Sequence, residues 1–235
     1  MKELLRKEAA ELGVELDPRA VELLLRYGAE LSEWNERVNL TAIREPVEVI
    51  RKHFVDALSA LPYLPAGEGR LVDVGSGAGL PGLPLKIVRP ALQVVLVESV
   101  GKKAEFLRHA AAALGLQGVD VYQGRAEDAG RDPTLRESFA VATARAVAEL
   151  RVLAELALPL VQLGGVFIAF KGPEVDAELE AAGRAVAVLG GAVEGVRRLS
   201  LPGESGRRTL VLMRKVAPTP AAYPRGAGRP AKKPL

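Results

Sequence analysis

Cysteine is absent from all 235 residues. That excludes a disulfide framework, thiolate metal sites and a cysteine nucleophile, and it fits a reducing, cytoplasmic setting. Long apolar runs are missing too. The most apolar stretch, Leu156 to Phe170, is interrupted by Pro159, Gly164 and Gly165 and is too short to cross a bilayer. The first residues, Met1 to Glu8, read as a helix of mixed charge rather than a signal peptide. Neither a membrane partner nor a metal is expected.

Hydrophobic content is 49%, enough for one large core or a core with a small appended unit. The formal net charge is +3 but unevenly placed: residues 214–235 hold six basic side chains (Arg214, Lys215, Arg225, Arg229, Lys232, Lys233) and no acid, leaving 26 basic against 29 acidic residues ahead of them. A basic end rich in proline and glycine, without apolar periodicity, suits contact with nucleic-acid phosphates, is simply a solvated tail, or folds Tyr223-Pro-Arg225 back against the sheet to complete a pocket.

The stretch Leu71-Val-Asp73-Val-Gly75-Ser-Gly77-Ala-Gly79-Leu-Pro-Gly82 passes from an apolar run into alternating glycines. It reads as strand, tight turn and helix start. Glycines at 75, 77 and 79 admit positive φ, and the missing Cβ lets a ligand lie on the main chain at a helix N-terminus. In the dinucleotide fingerprint the third glycine would fall where Leu80 stands, which argues against NAD or FAD. The following run, Gln93 to Val97, delivers Glu98 to a strand end about 20 residues past the glycines, where a carboxylate accepts from both ribose hydroxyls and repels a 2′-phosphate.

Helices are expected over about 2–12, from Asp17-Pro18 to about Glu36, and from near Pro46 with Val49, Ile50, Phe54, Leu58 and Leu61 turned inward. Strands follow at about 70–74, 93–97, 119–123, 139–144 and 165–170, with 193–200 and 208–216 as a closing pair. The alternation predicts an α/β fold: a mostly parallel seven-stranded sheet with helices on both faces and an N-terminal helical cap. The expected division is 1–64 for the helical extension, 65–216 for the sheet domain and 217–235 for the tail. Ligands on such sheets sit past the carboxyl ends of the strands, which singles out Gly75, Glu98, Arg125 to Asp128, Arg145 and Lys171-Gly172. By the geometry of nucleotide-binding sheets, Ala126 and Glu127 would flank an adenine. Arg145, at a strand end, would aim a guanidinium at a ligand carboxylate or a phosphate.

The glycine stretch alone resembles the first motif of class I (Rossmann-like) S-adenosylmethionine-dependent methyltransferases. Asn39 to Arg44, Arg51-Lys-His53, Asp73 to Gly82, Ser99 to Lys103, Arg125, Thr143-Ala-Arg145, Lys171-Gly172, Tyr223-Pro-Arg225 and Lys233-Pro-Leu235 together resemble the bacterial glucose-inhibited division protein B family along nearly the whole chain. The resemblance implies S-adenosylmethionine as donor, N7 of one guanine in small-subunit (16S) ribosomal RNA as acceptor, and that RNA or an assembly intermediate as partner. Carried over by position, it implies donor contacts from Asp73, Gly75, Gly77, Gly79, Leu80, Glu98, Ser99, Val100, Ala126, Glu127 and Arg145, with Glu98 where relatives commonly have aspartate. Arg145, His53, Asn39 and Arg125 become the residues nearest the chemistry. His109, the other histidine, falls in an alanine-rich helix and reads as packing or surface.

The chemistry is consistent with the acceptor. Guanine N7 has an exposed lone pair and no proton to lose, so alignment and exclusion of water suffice and no general base is required. Methylation at carbon five of a pyrimidine normally needs a cysteine, and the Asn/Asp-Pro-Pro-aromatic signature for exocyclic amines is absent. A small-molecule methyltransferase of the same fold and a non-catalytic nucleotide sensor remain open at this level.

Overall fold

The computed structural model describes residues 1–65, 67–203 and 206–235. The sheet has seven strands in the order β3-β2-β1-β4-β5-β7-β6. They are β1 Arg70–Val74, β2 Gln93–Glu98, β3 Val119–Gln123, β4 Phe139–Arg145, β5 Val161–Lys171, β6 Gly191–Ser200 and β7 Arg207–Lys215. Strands β1 to β5 run parallel, and β7 lies antiparallel between β5 and β6. All seven fall where the periodicity places them. The largest difference is β5, which starts at Val161 opposite Phe139 and passes an irregularity before regular pairing resumes at Val166. Gly164 there has φ +78°, a kink that alternation of apolar residues does not announce.

Alternation within the strands sorts the core into two layers. Val72, Val74, Val95, Val97, Ala142 and Phe167 face α8 (Leu150–Ala157) and α9 (Asp176–Val188). Leu71, Val94, Leu96, Val141, Ile168 and Phe170 face α5 (Gly82–Val88), α6 (Gly101–Ala113) and the N-terminal helices. Of these, α1 spans Lys2–Glu11 and α2 spans Pro18–Asn35. Asp17 caps α2 through its carboxylate, which accepts from the Ala20 N–H at 2.7 Å, and Pro18 occupies the first turn where no N–H is needed. Tyr27 of α2 stacks on Phe54 with ring centroids 5.4 Å apart, and Gly28 beside it keeps that ring free of a Cβ.

The third helix is not uniform. It is α over Pro46–Val49 (α3), widens to π over Ile50–Val55, and returns to α over Asp56–Leu58 (α4). The inward residues Ile50, Phe54 and Leu58, four apart, stay buried through the widened turn. The π segment carries His53 and delivers Asp56 to the sheet's carboxyl edge, a placement typical of such bulges at sites.

After β7 the chain turns back over the sheet's edge and ends in a single turn, α10 (Arg229–Lys232). Lys215, buried, pairs with Glu137 at 2.9 Å and also bonds Thr219, fixing the start of this return. Arg225 is committed to Glu155, whereas Arg229, Lys232 and Lys233 remain exposed.

Candidate active site

Three adjoining cavities run along the carboxyl ends of the strands. The first, about 230 Å³, is floored by Gly75 and Glu98 and flanked by Ser99, Arg125, Ala126 and Glu127. The second, about 400 Å³, shares Gly75 and Glu98 and adds Thr41, His53, Gly77, Leu80 and Arg145. The third, about 430 Å³, shares His53 and Arg145 and is rimmed by Lys52, Lys171, Arg207 and Arg208. Shared walls make them one groove.

The first two cavities are shaped by main chain. Gly75 and Ser76 donate their N–H groups to the Val97 carbonyl at 2.9 and 3.0 Å, pinning the glycine turn to the end of β2. Gly75, Gly77 and Gly79 have φ of +70°, +56° and +87°. A Cβ on Gly77 would meet nothing closer than 3.9 Å and would project into the open groove. On Gly75 it would strike Val147 at 2.6 Å, and on Gly79 it would strike Leu83 at 2.5 Å. Gly79 therefore serves packing, Gly75 makes room for Val147 at the cavity wall, and Gly77 alone has open space above it.

Glu98 ties this turn to the next loop. Its Oε2 accepts from Gly77 N–H at 2.9 Å and its Oε1 from Val100 N–H at 2.7 Å. With an amide of the turn directed at a carboxylate, the turn is not a phosphate cradle. The remaining lone pairs of Glu98 suit a pair of hydroxyls. A positive-φ glycine with open space above it and a carboxylate with lone pairs to spare beside it could hold a vicinal diol such as a ribose.

Asp73 stands behind the turn rather than in it. It is fully buried and lines none of the three cavities. The β1/β4 register sets it beside Thr143, whose hydroxyl donates to Oδ1 at 2.8 Å, while Oδ2 accepts from Gly82 N–H at 3.2 Å. Burial pushes its pKa up to about 6 despite these bonds. From the other side the Tyr27 hydroxyl donates to the Ala78 carbonyl, and burial raises the phenol far above its ordinary pKa. The turn is thus held at both ends by side chains that touch no ligand space.

The third cavity is made of charge. Asp56, completely buried, accepts from Arg145 Nη1 at 2.8 Å and from Arg208 Nε and Nη2 at 2.5 and 2.7 Å. One carboxylate therefore positions two guanidiniums, leaving a net positive rim. Arg145 also donates to the Lys52 carbonyl at 3.0 Å. Ala146, next along, has φ +57°, a strained conformation for alanine at the junction of the second and third cavities.

His53 lies 2.9 Å from the Thr41 hydroxyl through Nε2 and 3.0 Å from the Lys52 carbonyl through Nδ1. Arg145 Nη2 also lies 3.3 Å from Nδ1, so the tautomer with Nδ1 protonated donates to Lys52 and accepts from Thr41 but makes no hydrogen bond with Arg145. Burial first, then the nearby Arg145 cation, lowers its pKa to about 4, so it is a neutral imidazole at ordinary pH. Its visible role is to hold the Thr41 loop over the groove. Asn39 is exposed and lines none of the three cavities. The buried Asn35 shapes that loop instead, accepting from Leu40 and Thr41 N–H groups at 2.8 and 3.0 Å and donating to the Thr41 carbonyl at 2.9 Å. Arg125, exposed, precedes α7 (Ala126–Ala129) at the rim of the first cavity, and Val100 is exposed beside Ser99. His109 pairs with Glu30 at 2.7 Å on the surface, away from the groove.

Sequence reasoning misses Asp56, Asn35, Tyr27 and Arg208. An acid three residues after His53 on an inward helix face is a signal for Asp56. The other three carry no local sign. Among the described residues no cluster of histidines and acids could hold a metal, and no helix is long and apolar enough to cross a membrane.

A glycine turn and acid at adjacent carboxyl ends, on a sheet with one reversed strand near its edge, define a class I methyltransferase. Solved structures share the fold at low identity. A 16S rRNA (adenine-N1)-methyltransferase from Catenulisporales acidiphilia superposes with a TM-score of 0.52 and 18% identity over 65% of this chain and 87% of that one. Geranyl diphosphate methyltransferase in complex with S-adenosylmethionine gives 0.51 and 17% over 68% and 84%. Residues 20–210 match the family described as GidB, rRNA small subunit methyltransferase G. The ribosomal RNA small subunit methyltransferase G of Roseiflexus castenholzii is 54% identical over 235 residues, all of both chains. The chain belongs to this family of small-subunit rRNA methyltransferases.

Proposed function

We propose that the protein transfers a methyl group from S-adenosylmethionine to N7 of one guanine in small-subunit ribosomal RNA. The observation that carries this reading is the adjacency of the cavities: a backbone-lined nucleoside half shares Arg145 and His53 with a half rimmed by Lys52, Lys171, Arg207 and Arg208. The donor, when bound, supplies a sulfonium-linked methyl that an in-line nucleophile can take.

The chain's own residues do the rest. Glu98 accepts from the ribose hydroxyls, Gly75 and Gly77 let the nucleoside lie against the main chain, and Ala126 and Glu127 read the adenine edge. Arg145 marks the boundary between donor and acceptor, where methyl and N7 must meet. Its guanidinium, fixed by Asp56, would hold a phosphate or the donor carboxylate in register. The cationic rim draws the RNA backbone in through counterion release. No residue removes a proton, because the attacking lone pair carries none, and His53 stays neutral with both nitrogens engaged.

The loop 39–43 and the C-terminal return exclude water on either side, which favours a displacement at carbon. A ribosomal substrate implies work in the cytoplasm. The test is incubation of the purified chain with donor and small-subunit particles or their naked RNA, followed by mass mapping of RNA fragments. Appearance of one N7-methylguanine is expected. Methylation of another atom, or none on either substrate, would reject the reading.

A further inference from the structure

The wall facing the glycine turn in the first cavity is made by the C-terminal segment. Gly228, Pro230 and Ala231 line it, and the Gly228 N–H donates to Glu127 Oε1 at 2.7 Å. Gly228 has φ +75°, so the chain bends there in a way that glycine adopts freely. Anchors hold the segment on both elements that build the cavity. On α8, buried Glu155 accepts from the Arg225 backbone N–H and Nε at 2.8 Å each and from Nη2 at 2.5 Å. Beyond α7, Arg136 donates to the Tyr223 carbonyl at 2.8 Å and Arg131 to the Pro224 carbonyl at 2.9 Å. An arm kept for RNA phosphates would leave its guanidiniums free, whereas this one commits Arg225 to a buried acid and is itself grasped by two further arginines.

We propose that residues 225–231 are part of the donor site. Gly228 holds one oxygen of Glu127 so that the other, without a hydrogen-bond partner among the described residues, faces the exocyclic amine of the adenine, and Pro230 and Ala231 cover the purine. This rests on the donor reading above. It separates the backbone and apolar residues that bind the donor, up to Ala231, from the exposed cations Arg229, Lys232 and Lys233.

The test uses the full chain with Gly228→Pro, since proline lacks the N–H and cannot adopt this φ. A second chain ends after Gly226. Calorimetric titrations use S-adenosylhomocysteine and, separately, adenosine. Both ligands should weaken by the same factor in Gly228→Pro, about tenfold for one lost bond to a charged acceptor. The affinity for small-subunit RNA and the circular dichroism spectrum should stay unchanged, while the strained turn lowers the melting temperature without ligand. The shortened chain should lose more, again equally for both ligands. Should it fail to fold, Gly228→Pro decides alone.

Unaltered affinity for both ligands in Gly228→Pro, or a loss for S-adenosylhomocysteine that adenosine does not share, would overturn the proposal. A loss confined to RNA binding would do the same. Failure of the donor reading looks different: the unmodified chain would then bind neither ligand, and both proposals would fall together.

Discussion

The donor half of the groove draws on residues 75–127 and the tail, and its floor is largely main chain: a turn whose Gly75, Ser76 and Gly77 amides are spent on Val97 and Glu98. The acceptor half is built from side chains brought from residues 43, 52–53, 145, 171 and 207–208, and its two guanidiniums Arg145 and Arg208 hang on one buried anion, Asp56. Such halves fail differently. A backbone site tolerates changes around it but not a Cβ within it. A side-chain site accepts local variation yet loses its order when its hub is removed.

The sharpest way to break the donor half is Gly77→Val. At φ +56° a β-branched residue costs about 1–3 kcal/mol of strain, and its side chain would enter the cavity. Donor binding should vanish in calorimetry while the circular dichroism spectrum persists. Retained affinity would make the turn structural. The counterpart in the acceptor half is Asp56→Ala, which leaves two guanidiniums facing a void and should destabilise the fold by about 3–5 kcal/mol. Asp56→Asn keeps the volume and should lower RNA turnover at nearly unchanged donor affinity. If donor affinity falls as far as turnover, the two halves are not separable in the way described.

A gentler probe is Glu98→Ala, which removes the proposed ribose acceptor and the link between Gly77 and Val100. Donor affinity should drop by about 1.5–3 kcal/mol, the range of a hydrogen bond to a charged group. RNA affinity measured without donor should not move. An unchanged donor titration would withdraw Glu98 from the ribose.

The same division explains what the sequence disclosed. Strands, glycine turn and Glu98 were legible because each is a local pattern: alternation of two, positive-φ spacing, an acid at a strand end. The role of Asp73 was not, because whether that carboxylate faces ligand or core depends on the β1/β4 register that seats it beside Thr143. Asp56 was hidden for a related reason, since its two partners lie 89 and 152 residues away. The basic end reads equally as a phosphate-binding arm, a solvated tail or a segment folded back on the pocket, and charge composition does not reveal that Glu155, an acid inside an apolar helix, receives Arg225.

The smallest effect expected of the unmodified chain is its response to pH, where the two halves oppose each other. Asp73 belongs to the donor half and His53 to the acceptor half, and burial moves them oppositely, to about 6 and about 4. Between pH 4 and 6.5 the unfolded chain binds a proton at His53 that the folded chain refuses, so this residue makes stability rise with pH. Between pH 3.8 and 6 the folded chain holds a proton on Asp73 that the unfolded chain releases, so this residue makes stability fall with pH. Each contribution is on the order of 3 kcal/mol, and in the shared window they nearly cancel. The unmodified chain should therefore show little net slope from these two groups. Relative to it, Asp73→Asn should lose stability on acidification from pH 6.5 to 4.5, and His53→Gln should gain it. Taking each variant against the parent at every pH removes the remaining carboxylates, including Glu137, whose lowered pKa acts below this window. Denaturant midpoints that shift in the same direction for both variants would show that the two groups do not sit in the opposed environments the structure gives them.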